Sequence, residues 1–228
     1  MKIGVLGTGM VGRAHAARLS GLGHDVVIGT QDVGKTLASA KADAMGNEPF
    51  SEWHKKHGKV RVLDFTGAAA HGEVVINALK GEAAVSVLKS VGKSLEGKLL
   101  IDISNPLDFS KGMPPSLLVS NTDSLGEQIQ RALPQARVVK TLNTLNAHLQ
   151  VDPKQLAGGD HTIFVSGNDE AAKAQAIKLL KGYGWEDIID LGDITTARGT
   201  EMILPLWVRL WGRLQNPLFN VKIVQGKK

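Results

Sequence analysis

The run Gly7-Thr8-Gly9-Met10-Val11-Gly12 carries the clearest chemistry in this sequence. It directly follows the apolar segment "KIGVL" and directly precedes the helical pattern "RAHAARLSGLG". In a strand–turn–helix setting, Gly7 permits the tight turn, Gly9 lets the backbone approach a pyrophosphate, and Gly12 lets helix and strand pack closely. The phosphates would then sit at the helix N-terminus, where backbone N–H groups and the helix dipole favour anions. The second apolar run ends in "VVIGTQDVGK". A carboxylate is expected at this strand end when the ligand is NAD, because it accepts hydrogen bonds from the ribose diol; the same carboxylate would repel a 2′-phosphate. Thr30 and Gln31 stand there instead. Both can donate to a phosphate, and Lys35 adds a compact positive charge, so the expectation is NADP over NAD. Asp32 either caps the next helix or reaches the ribose. Arg13 is a further candidate for phosphate charge.

Ligands of open parallel sheets bind beyond the carboxyl ends of the strands. The other strand ends are Asn77-Ala78-Leu79, Ser104-Asn105-Pro106-Leu107 and Thr141-Leu142-Asn143-Thr144-Leu145-Asn146. We take Asn77, Ala78, Leu79, Asn105, Pro106, Asn143 and Leu145 as cofactor-lining candidates. The edge offers no placed His, Lys or carboxylate to exchange a proton with substrate. Alcohol dehydrogenation needs such a group, whereas hydride transfer between two rings needs stacking, alignment and exclusion of water. No catalytic side chain is therefore expected. Among the histidines, His148 could face an acceptor and His15 reads as structural. None has metal-ligand spacing with carboxylates, and no metal site is expected.

Strands are expected at about 2–7, 25–29, 60–65, 73–79, 98–104 and 136–142, as short Val/Ile/Leu-rich runs between helical segments. Apolar strands buried on both faces imply an α/β, doubly wound, mostly parallel sheet with helices on both sides. After "NAHLQVDPKQLAGGD" come a strand, "HTIFVSG", a helix, "DEAAKAQAIKLLKGYG", a strand, "EDIIDLG", and a helix over 195–214. We place a nucleotide-binding domain at 1–145 and a small C-terminal lobe at 146–228, which could also extend the same sheet. The last helix puts Ile203, Leu206, Trp207, Leu210, Trp211 and Leu214 on one stripe, which fits either internal packing or a homodimer seam. Pro205 would sit in its first turns or kink it. The 228 residues include no cysteine, which excludes disulfides and thiolate chemistry and fits a cytoplasmic protein. A net charge of +5 suits an anionic ligand, but no basic cluster interleaved with aromatics points to nucleic acid. No apolar run is long enough for a membrane span.

The segments "GVLGTGMVGRAHAARLSGLGHDVVIGTQ", "DISNPLDF", "ARVVKTLNTLNA", "HTIFVSGNDEAAK" and "DLGDITTARGTEMILPLWV", in this order, resemble the NADP oxidoreductases that use the deazaflavin coenzyme F420. More distantly they resemble the NADPH-oxidising domain of membrane ferric reductases. The resemblance implies that Thr8, Gly9, Met10 and Val11 line pyrophosphate and nicotinamide, that Thr30 and Lys35 hold the 2′-phosphate, and that the C-terminal lobe helps form the acceptor pocket of a homodimer. Gln31 departs from a basic residue, Leu79 from a proline, and Asn143 and Asn146 from a His and Pro of the family pattern. The function expected is hydride transfer between NADP and a small-molecule ring acceptor, F420 or a flavin such as FMN. The alternatives are NADPH-dependent reduction of a small carbonyl or imine, and a non-catalytic NADPH-sensing module.

Overall fold

The computed structural model describes residues 1–42 and 46–226. The chain opens β1 (Lys2–Leu6), α1 (Met10–Gly21), β2 (Asp25–Thr30), α2 (Val33–Leu37), α3 (Phe50–Lys56), β3 (Arg61–Asp64), α4 (Phe65–His71), β4 (Val74–Asn77), α5 (Gly81–Ser90) and β5 (Leu99–Asp102). A two-stranded ribbon, β6 (Leu107–Asp108) with β7 (Ser116–Leu117), interrupts the alternation before α6 (Leu125–Ala132), β8 (Arg137–Thr141) and α7 (Ala147–Val151). Then follow β9 (Ile163–Gly167), α8 (Glu170–Tyr183), β10 (Ile188–Asp190), α9 (Ala197–Met202) and α10 (Leu204–Leu214).

Eight strands form one sheet in the order β10-β9-β8-β5-β4-β1-β2-β3. From β3 to β8 every pairing is parallel, and β9 pairs antiparallel to β8. This is the expected α/β, mostly parallel, doubly wound architecture. The chain past residue 145 supplies β9 and β10 to that same sheet. The strands are apolar throughout because helices cover both faces. One core holds Ile3, Val5, Ile28, Ile76 and Ile101 against α1, α3 and α8, and the other holds Leu6, Val27, Val75 and Leu100 against α4, α5 and α6.

His15 sits fully buried between layers. The Gln150 amide nitrogen is committed to the Leu145 carbonyl, so its oxygen must accept from His15 Nε2, and His15 Nδ1 then accepts from the Tyr183 hydroxyl. This chain ties α1 to α7 and α8. Burial pulls the His15 pKa from 6.5 down to about 4, partly offset by the bond to Gln150. Burial likewise pushes the Tyr183 phenol up. The ring is a neutral structural connector, as its place on the first helix suggested.

The region expected as one helix over 195–214 differs. A 3₁₀ turn at Ile194–Thr196 leads into α9, and α10 begins afresh with Pro205 in its first turn. Proline lacks the N–H that a continuous helix would require there. Restarting the helix turns Leu204 and Val208 inward, while Leu206, Leu210 and Leu214 are left exposed.

Candidate functional site

The strand register brings Leu6, Gly29, Asn77, Asp102 and Lys140 to one level, so the loops after β1, β2, β4, β5 and β8 share one edge. Gly7 turns there with φ +115, and a Cβ on it would stand 2.6 Å from the Ala78 oxygen. A Cβ on Gly12 would overlap the Gly7 carbonyl. Gly9 is different, since a Cβ there would meet nothing within 4 Å. Two of these glycines are thus required by packing, and the third leaves open space in front of the backbone. The N-terminus of α1 has no side-chain cap and no acidic residue in its first turn. Its first helical bond runs from Arg13 N–H to the Gly9 oxygen, so the donors before it face out of the helix end. That end is a cradle for an anion, and a pyrophosphate fits it.

At the end of β2, the buried Thr30 places Oγ1 2.7 Å from Thr36 Oγ1. The hollow here is lined by Thr30, Gln31, Asp32, Lys35 and Thr36. Asp32 is the N-cap of α2, accepting from the Lys35 N–H at 2.9 Å. Its carboxylate is therefore engaged with the helix start, and the corner itself presents hydroxyls, an amide and an ammonium. Thr36 was not singled out in the sequence; its partnership with Thr30 depends on how α2 folds back.

Ala78 and Leu79 are half-buried beyond β4, at the foot of the Gly loop. Asn77 is fully buried: its amide nitrogen donates to Asp102 Oδ1 at 2.8 Å and to Ser104 Oγ at 3.3 Å, and its oxygen accepts from the Leu79 N–H. Its side chain thus shapes the turn from within. Asn105 and Asn143 form a reciprocal pair. Asn105 Nδ2 donates to the Asn143 carbonyl at 2.9 Å, and Asn143 Nδ2 donates to Asn105 Oδ1 and to the Thr200 carbonyl, each at 3.1 Å. Pro106, next to Asn105, is buried, and Leu142 turns the chain after β8 with φ 59, a left-handed conformation that costs a leucine energy. Leu145 points into the core. The structure therefore gathers Gly7 to Gly12, Ala78, Leu79, Asn105, Pro106 and Asn143 along one edge, with Thr30, Gln31 and Lys35 at its β2 end. Asn77 and Leu145 lie behind it.

Beneath the edge is a charged cluster that was not anticipated. Lys140 Nζ lies 2.9 Å from Asp102 Oδ2, 2.9 Å from Glu201 Oε1 and 2.6 Å from the Ser104 carbonyl. All three ionic side chains are buried to within 2%. Glu201 also accepts from the N–H groups of Leu125 and Gly126 at the start of α6. Burial alone would lower the Lys140 pKa, but the charges of Asp102 and Glu201 outweigh it and hold the ammonium above its ordinary value. A permanently charged, sealed lysine cannot exchange protons with a ligand. It fixes β5, β8 and α9 in place instead. A lysine and an aspartate ending two apolar runs, "RVVK" and "LLID", were the signal available in the sequence.

His148 is exposed on α7 and its ring makes no hydrogen bond among the described residues; its backbone N–H donates to Asn146 Oδ1 and its carbonyl accepts from the Asp152 N–H. No helix among the described residues is long and apolar enough to cross a membrane.

Comparison with known proteins follows the same lines. Residues 2–106 match the family described as NADP oxidoreductase coenzyme F420-dependent. The chain is 32% identical over 216 residues to the F420-dependent NADP reductase of Methanocaldococcus jannaschii, covering 92% of each. It is 28% identical to the metalloreductase STEAP3 of Rattus norvegicus over 90% of this chain but only 38% of that protein. Among solved structures, a crystal structure from Arthrobacter sp. FB24, provisionally assigned as an F420-dependent NADP reductase, superposes with TM-score 0.94 at 57% identity, covering 99% of this chain and all of that one. The chain belongs to the F420-dependent NADP oxidoreductase family.

Proposed function

We propose that this protein moves a hydride between NADP and coenzyme F420, with a flavin such as FMN as a poorer acceptor. The observation that carries the reading is a continuous edge of strand-end loops, with an uncapped helix start at one place and a hydroxyl-and-ammonium corner at another, that can hold a phosphorylated dinucleotide. When bound, NADP supplies or receives the hydride at its nicotinamide ring. The uncapped start of α1 binds the pyrophosphate, with Gly9 allowing close approach. Thr30, Gln31 and Lys35 receive the 2′-phosphate, with Thr36 orienting the Thr30 hydroxyl. The Asn105–Asn143 pair fixes the far wall, and Ala78, Leu79 and Pro106 keep water from the ring. Orientation and exclusion of water are what such a transfer asks of a protein.

The C-terminal helix completes the proposal. Leu206, Leu210 and Leu214 form an exposed apolar stripe on α10, and we assign it to a homodimer seam. Light scattering should give twice the chain mass, and Leu210→Glu should halve it.

The functional test is oxidation of NADPH at 340 nm on adding F420, FMN, or a small imine. Turnover with F420 well above that with FMN is expected. Turnover only with the imine would transfer the chain to the carbonyl and imine reductases, and tight NADPH binding with no turnover would make it a sensor.

A further inference from the structure

A second hollow, of about 560 Å³, opens on the outer face of α1 against α3 and α7. It begins at Met10 in the glycine loop and runs beneath His148. Its floor is apolar, made by Ala14, Ala17, Trp53 and Val151, and its polar rim is basic, with Arg13, Arg18, His57 and His148. The one acid lining it, Glu48, is drawn off by Lys56 at 2.6 Å. Arg13 is engaged, donating to the Glu48 carbonyl at 2.6 Å. Arg18 is not: no hydrogen bond or ion pair reaches its guanidinium among the described residues, and its Nε is buried with no partner. The His57 ring packs against Trp53 at 5.0 Å and makes no hydrogen bond among the described residues. A half-buried guanidinium whose Nε is buried without a partner among the described residues is costly unless an anion completes it.

We propose that this groove binds the phosphoryl or carboxylate groups of an extended anionic ligand, with Arg18 and His57 as its principal contacts. Two sources share that chemistry: the phosphodiester and carboxylate side chain of F420 itself, which rests on the function proposed above, or a separate small polyanion. Met10 both closes the glycine loop and lines the groove, so the side chain of an acceptor bound at the strand edge can enter it without leaving the protein surface.

The test uses the full protein and two variants, Arg18→Ala and His57→Ala, with the NADPH dissociation constant and melting temperature as controls for folding. KM is measured for F420 and for the truncated deazaflavin that lacks the phosphodiester side chain. Binding of inorganic pyrophosphate is measured by calorimetry. If the acceptor is the source, KM for the truncated form exceeds that for F420 by about ten-fold in the native protein, and the ratio falls toward one in Arg18→Ala. If a separate anion is the source, the two KM values agree, but pyrophosphate binds and Arg18→Ala weakens it about ten-fold. Equal KM values together with pyrophosphate binding that is absent, or unchanged by both variants, would overturn the inference. Failure to oxidise NADPH with either deazaflavin would instead refute the proposed function, and the pyrophosphate measurement would still decide the groove.

Discussion

The two ends of the ligand edge are built in opposite ways. The β2 end is assembled from neighbours in sequence: Thr30, Gln31, Asp32, Lys35 and Thr36 come from a single turn, half open to solvent and neutral but for one ammonium and one capping carboxylate. The β5–β8 end is assembled from residues far apart, with Asn105 reaching Asn143, Asn143 reaching Thr200, and Lys140 joining Asp102 to Glu201 in a sealed interior. A short open turn can recognise a phosphate with little investment in the fold. The wall at the β5–β8 end, which the proposed function assigns to holding the rings, is anchored instead by buried charge, where removing one partner exposes the full desolvation cost of the others.

That contrast predicts its largest effect at Lys140. Lys140→Met leaves Asp102 and Glu201 buried without their cation and should destabilise the protein by about 3 to 5 kcal/mol in urea unfolding. A loss near zero would mean the wall does not depend on the cluster. The layer beneath comes next. His15 takes its proton near pH 6.5 when unfolded but only near 4 when folded, so the unfolded state binds more protons between those values. Stability should therefore be complete above pH 6.5 and fall by about 3 kcal/mol as the pH drops to 4. His15→Gln should remove that part of the slope. Within the glycine loop the two functions separate. Gly12→Ala should cost about 2 kcal/mol in stability because its Cβ meets the Gly7 carbonyl. Gly9→Ala should leave stability alone, since its Cβ meets nothing, while weakening NADPH binding about ten-fold.

The same contrast explains what could be read from the sequence. The glycine loop, the alternation of apolar strands with helices and the run Thr30, Gln31 and Lys35 are local, so their residue types and spacing carried them. Thr36 escaped because its contact with Thr30 arises only once α2 turns back. The Lys140 cluster escaped because its members lie on β5, β8 and α9, and only the folded register puts Lys140 opposite Asp102. The apolar stripe of the last helix was visible, yet periodicity alone could not say that Pro205 would restart the helix and aim Leu204 and Val208, rather than the stripe, at the core.

The effect expected at Lys35 is no larger than that at Gly9, and it is the most direct. Calorimetric dissociation constants for NADPH and NADH, with the native protein and with Lys35→Ala, measure whether a neutral corner with one ammonium selects the 2′-phosphate. The variant should lose about ten-fold in affinity for NADPH and less than about two-fold for NADH. Equal losses for both nucleotides would contradict it.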